Sequence, residues 1–169
     1  MVTDVERIAR LLDESGDPDN PSPEELRELV RSLSRVAVVG LSRDTRKAAR
    51  RVPSYLAANG IELAPVNPHA DRILGKEAVD RLDQVGEPVD LVLVFRPPEE
   101  AGQVIRDALE RPEQPAIWLQ QGIRDDEAAG EARAQGRTVV QDLCIFRVHR
   151  SLDENLPAPP TERDLPMGI

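Results

Sequence analysis

This chain has very little aromatic residue, almost no cysteine and no long apolar run. Aromatics are 2% of the 169 residues, so any core must be built from Val, Leu, Ile and Ala. Cys144 is the single cysteine, which excludes an intramolecular disulfide and a multi-cysteine metal site. Two histidines, His69 and His149, lie far apart with no acids at ligand spacing, so no metal centre is expected. No stretch approaches the length of a membrane span, and the charged residues from Asp4 onward leave no room for an apolar leader. A cytoplasmic protein is the expectation. Basic residues are also in deficit: 22 Lys and Arg against 31 Asp and Glu give a net charge of −9. A nucleic-acid binder normally carries a basic surface to displace counterions, so this balance argues against that class.

What is present is a regular alternation of patterns. Residues 4–14 and 22–33 have helical apolar spacing, and Ser22-Pro23-Glu24-Glu25 is a strong helix start. The breaker cluster 15–21 separates them. From Arg35 the pattern changes to short β-branched runs. Strands are expected at 36–39, 61–66, 90–95, 116–119 and 138–140, with a short edge strand or turn at 72–75. Helices are expected at 46–59, with Pro53 in the first half, and at 79–85, 97–109, 125–134 and 144–149. His149 is expected at the surface and Trp118 in the core.

Strands alternating with helices imply an α/β, Rossmann-like domain. Its sheet is mostly parallel and five-stranded, with helices on both faces and an N-terminal helical extension. The expected division is 1–33 for the extension, 34–152 for the domain and 153–169 for a Pro-rich tail draped on the surface or flexible.

In such a sheet ligands bind beyond the carboxyl ends of the strands. The loop Gly40-Leu41-Ser42-Arg43-Asp44-Thr45 is therefore the centre of interest. It opens a helix after the first strand, where free N–H groups and the helix dipole favour anions. A dinucleotide fingerprint would need two more glycines, but Ser42 and Thr45 stand there, and Val66-Asn67-Pro68 lacks the acid that holds a ribose. An NAD(P)-dependent or other nucleotide-dependent enzyme using the same crevice is thus the second choice. Arg43, Arg46, Lys47, Arg50 and Arg51 place five cations in nine positions of an acidic chain. That is a large positive charge beside a phosphate turn, although such a run can also be a solvated helix face.

The combination of Val-Val-Gly-Leu-Ser (38–42), Arg51-Val52 with Tyr55-Leu56, Pro-Val-Asn-Pro (65–68), Ile-Leu-Gly (73–75), Val-Asp-Leu-Val-Leu-Val-Phe-Arg (89–96), Trp-Leu-Gln-Gln-Gly (118–122) and Asp142-Leu-Cys144 resembles the small stand-alone CoA-binding proteins. These are similar to the N-terminal domain of the succinyl-CoA synthetase α subunit. The resemblance spans roughly residues 34–152 and implies coenzyme A, free or acylated, as the ligand. It implies contacts from Gly40, Leu41, Ser42, Arg43, Asp44 and Thr45, and from Asn67, Pro68 and His69 after the second strand. Phe95, Arg96 and Pro97 follow the third strand. Lys47, Arg50 and Arg51 supply charge, with Arg51 the best match to the family, and Gln120, Gln121 and Gly122 either line the pantetheine path or simply turn the chain. The phosphohistidine of the synthetase lies in a second domain outside the resemblance, so no ligase activity is expected, and no catalytic constellation stands out. The expected role is a binding module, carrier or sensor. Its partner is the small molecule, with neither nucleic acid nor membrane, and a homodimer is left open. Cys144 has two readings: a thiol able to meet that of CoA, or a small buried hydrophobe, the commoner role.

Overall fold

The computed structural model describes residues 2–166; Met1 and 167–169, the end of the Pro-rich tail, lie outside the described residues. Helix α1 (Asp4–Glu14) begins at Thr3 with a reciprocal cap. The Thr3 hydroxyl accepts from the Glu6 N–H at 3.1 Å, and the Glu6 carboxylate accepts from the Thr3 N–H at 2.9 Å. Helix α2 (Pro23–Arg31) starts as its sequence signals, with the Ser22 hydroxyl accepting from the Glu25 N–H. The apolar stripes of the two helices, Ile8, Leu11, Leu26 and Val30, are buried in the same core as the sheet.

The sheet strands are β1 (Arg35–Val39), β2 (Glu62–Val66), β5 (Leu91–Val94), β6 (Ala116–Leu119) and β7 (Val139–Val140). All pair in parallel in the order β2-β1-β5-β6-β7. A small hairpin, β3 (Arg72–Ile73) with β4 (Lys76–Glu77), follows β2. The connecting helices are α3 (Ala48–Ala58), α4 (Pro98–Leu109) and α5 (Asp126–Ala134), and α6 (Ile145–Arg150) follows β7. Successive strand residues face opposite sides, as the pleat requires. Val36, Val38, Leu91, Leu93 and Trp118 meet α1, α2, α3 and α6. Ala37, Val92, Val94, Ile117 and Leu119 meet the alanine-rich faces of α4 and α5. The Trp118 indole N–H donates to the Leu143 carbonyl at 2.8 Å.

The structure departs from the sequence expectations at four places. The helix expected at 46–59 starts at Ala48, because Asp44 folds back on the Arg46 N–H and guanidinium and holds 44–47 in a turn. The helix expected at 79–85 is a single 3-10 turn, Leu82–Gln84. Val79 instead pairs with the β2 edge, donating to the Pro65 carbonyl and accepting from the Asn67 N–H. His149 is half-buried, with its Nδ1 2.8 Å from the Tyr55 hydroxyl. In the tail, Leu165 is buried in the core, and the Pro160 carbonyl accepts from Arg147 at 2.7 Å. No described helix is long and apolar enough to cross a membrane.

Candidate functional site

The strand order reverses between β1 and β5: the chain moves outward to β2 on one side of β1 and to β6 and β7 on the other. At such a switch point the loops leave in opposite directions and open a crevice. Its floor is Gly40, at φ +90°, directly after β1. A Cβ there would stand 2.9 Å from the Phe95 carbonyl oxygen and 2.9 Å from the Arg96 Cδ. Only glycine lets these two loops approach so closely. The Gly40 N–H donates to the Val66 carbonyl, and the Asn67 amide donates to the Leu41 carbonyl at 2.9 Å. The Asn67 side-chain oxygen accepts from the His69 N–H at 2.8 Å. Asn67 therefore shapes two loops at once.

These bonds bring Gly40, Asn67, Pro68, His69 and Arg96 around a cleft of about 400 Å³. Pro97 stands at its edge as the N-cap of α4. Five further lining residues were not singled out by sequence reasoning: Asp80, which follows Val79 on the β2 edge, and Glu99, Glu100, Gln103 and Val104 of α4. Glu99 and Glu100 carry the ordinary signature of a helix start, which is why their position in the cleft was hidden. Arg96 Nε donates to Glu100 at 2.6 Å.

The first loop is more internally bonded than its sequence suggests. Leu41 is fully buried. The Ser42 N–H donates to the Ala49 carbonyl at 3.0 Å, and the Ser42 hydroxyl accepts from the Asp44 N–H at 3.0 Å. The Arg46 side chain beside Asp44 holds that carboxyl down at about 2. Arg46 is thereby committed to Asp44, at 3.0 Å. Arg43 reaches toward the His69 carbonyl at 3.4 Å, across the cleft mouth. Thr45 and Lys47 are exposed. Lys47 is the N-cap of α3 and no side chain caps that terminus. The start of α3 thus has no side-chain cap and has cations beside it, a favourable setting for an anion.

The remaining residues expected at the site lie elsewhere. Arg50 is half-buried on α3. Arg51 turns to the tail, where it donates to the Leu165 carbonyl at 2.6 Å and to the Pro166 carbonyl at 3.2 Å. Phe95 is half-buried against the core and its N–H donates to the Val39 carbonyl. Gln120 is buried and accepts from the Ile145 N–H at 3.2 Å, closing the start of α6. Gly122 donates its N–H to Asp142 at 2.6 Å, and the same carboxylate accepts from the Gly16 N–H at 2.7 Å. The loop between α1 and α2 therefore occupies the crest above β7. Asp17 anchors it there: burial works to raise its pKa, but bonds from Gln141, Asp19 and Arg133 outweigh this and lower it. Cys144 is buried, and burial pushes its thiol pKa up, away from the reactive thiolate.

A model of the CoA binding domain matches residues 34–150. A relative from Bacillus subtilis (strain 168), the uncharacterized protein YneT, is 39% identical over 130 residues, covering 77% of this chain and 96% of the relative. Among solved structures, a Thermus thermophilus protein titled cell-free ID.343 aligns with a TM-score of 0.71 at 36% identity, covering 76% of this chain and 97% of that one. A hypothetical protein from Pyrococcus horikoshii OT3 aligns with a TM-score of 0.75 at 25% identity, covering 82% of this chain and 97% of that one.

Proposed function

The chain belongs to the CoA-binding domain family, and from that premise we propose that it binds coenzyme A or an acyl-CoA at the β1/β5 switch point, as a module that carries or senses the ligand without transforming it. The observation that carries this reading is the N-terminus of α3, which no side chain caps and where Lys47 is exposed, in the same loop from which Arg43 reaches the carbonyl of the cleft residue His69. Backbone N–H groups and two cations suit a diphosphate. Gly40 supports the fit, because a side chain there would collide with Phe95 and Arg96, so the crevice floor is bare backbone.

In this reading Arg43, Lys47 and the first turn of α3 hold the diphosphate. The Pro68, His69 and Val104 surfaces take an uncharged portion of the ligand in the cleft. Glu99 and Asp80 accept hydrogen bonds from hydroxyl or amide groups there. Asp80 and Glu99 disfavour an anion beside them, so a charged group of the ligand that enters the cleft meets Arg96, the cation among the lining residues.

The test is ligand-dependent melting with CoA, dephospho-CoA, NAD, NADP and ATP. A ligand that binds only the folded state raises its melting point by mass action. Selective stabilisation by CoA is the expected result. Stabilisation by NAD without any by CoA overturns the reading.

A further inference from the structure

Among the described residues, Arg96 is the one arginine or lysine lining the cleft, and it is held by a neighbour. Its Nε lies 2.6 Å from one carboxylate oxygen of Glu100, and its Nη2 is closer still to the same oxygen. The bare Gly40 Cα gives the arginine stem its path across the floor, since a Cβ there would be 2.9 Å from Arg96 Cδ. Both partners are accessible, at 42% and 52% of their side-chain surface. An ion pair this exposed contributes little to stability, so the arginine can change partner at small cost.

We infer that Glu100 is a positioning residue that holds Arg96 across the cleft floor and yields it to an anionic group entering the cleft. This rests on the reading of the cleft as an anion-bearing ligand's site. The carboxylate and the incoming anion compete for one guanidinium. Glu100 therefore sets a threshold: anions strong enough to displace it gain a bidentate partner, and weaker ones do not. The other charged or titratable side chains lining the cleft are Glu99 on α4, Asp80 beyond the β2 edge and His69, whose carbonyl accepts from Arg43. Glu99 carries the same charge on the same turn of α4 but makes no ion pair among the described residues, so it serves as the control for a general field effect.

The experiment titrates inorganic pyrophosphate and CoA into the full chain and into Glu100→Gln, Glu99→Gln, Arg96→Ala and the Arg96→Ala/Glu100→Gln double variant, followed by calorimetry. Glu100→Gln binds pyrophosphate roughly threefold tighter, the change expected from removing a competitor of this strength. Glu99→Gln changes it by less, and Glu100→Gln adds nothing when Arg96 is already Ala. An equal gain in the Arg96→Ala background, or an equal gain from Glu99→Gln, overturns the inference, because a diffuse field then explains the effect. No gain in Glu100→Gln overturns it as well. If pyrophosphate behaves as expected while CoA binds to none of the proteins, the exchange of partners stands and the CoA reading falls.

Discussion

The backbone N–H of Ser42 donates to the carbonyl of Ala49 at 3.0 Å, and that carbonyl is open because Pro53, four residues further along α3, has no N–H to give it. A proline inside a helix normally leaves a carbonyl unmatched. Here the freed acceptor ties the loop after β1 to the first turn of α3. The turn that presents Arg43 and Lys47 is thus shaped by Pro53, two positions beyond Arg51, the cation of the cluster that bonds the tail. Replacing Pro53 by Ala restores the helical bond and sets the two donors in competition. Folding stability should change by less than about 1 kcal/mol, since the regained bond is offset by a freer unfolded chain. CoA affinity should fall by about threefold or more as the loop loosens. Urea melts and calorimetry on the same protein separate the two effects.

Gly40→Ala tests the crevice floor. The added methyl meets the Phe95 carbonyl and Arg96 Cδ at 2.9 Å, and the backbone is held at φ +90°. The expected loss is about 1–3 kcal/mol of folding stability from strain. The remaining folded protein should also bind CoA more weakly, because the β1 and β5 loops are pushed apart. A melting curve with and without CoA reads both.

Arg7→Leu tests whether the N-terminal extension is part of the folding unit. Arg7 is 1% exposed, and its guanidinium donates to the carbonyls of Val2, Ser151, Asp153 and Leu156 at 2.6–3.1 Å. It therefore closes the C-terminal end of α6 from a helix at the other end of the sequence. Leucine fills the space but leaves those carbonyls unpaired. The expected cost is about 2–4 kcal/mol, seen as one cooperative transition at a lower midpoint. Separate transitions for the extension and the sheet would refute this.

The Tyr55–His149 contact predicts a pH dependence. Burial holds the His149 pKa below its usual 6.5 and raises that of Tyr55 to about 12. Between the depressed folded value and 6.5 the unfolded chain binds a proton that the folded chain does not. The His149 contribution is therefore complete above pH 6.5 and is lost as the pH falls through the folded value. Melting points should drop between pH 7.5 and 5.5, and His149→Gln should flatten that slope. The lowered carboxyls of Asp17, Glu113 and Asp153 act in the same direction, but at more acid pH, below their usual 3.8–4.5.

The strands were legible because each is an apolar run of the right length between breakers. The run 116–119 in the sequence is β6 residue for residue. The starts of α2 and α4 were legible from Ser22-Pro23 and Pro97-Pro98, because caps and N1 prolines act locally. The segment 79–85 was not, because a competing partner decided it: the β2 edge claims Val79, and Arg111 then holds the Leu82, Val85 and Glu87 carbonyls. The site was legible only in part. Gly40, Asn67 and Arg96 follow from the rule that ligands gather beyond strand ends. The acidic wall of Asp80, Glu99 and Glu100 does not, since on the sequence these look like solvated charge.

By itself the sequence determined most of the elements, their parallel arrangement and the tight glycine turn after β1, because alternation, caps and breakers act over a few residues. Tertiary structure alone decided where the charges go. Arg51 serves the Leu165 and Pro166 carbonyls, Arg46 serves Asp44, and Gln120 closes α6. A long flexible cation takes whatever acceptor the fold brings within reach, and that acceptor can lie more than a hundred residues away in sequence.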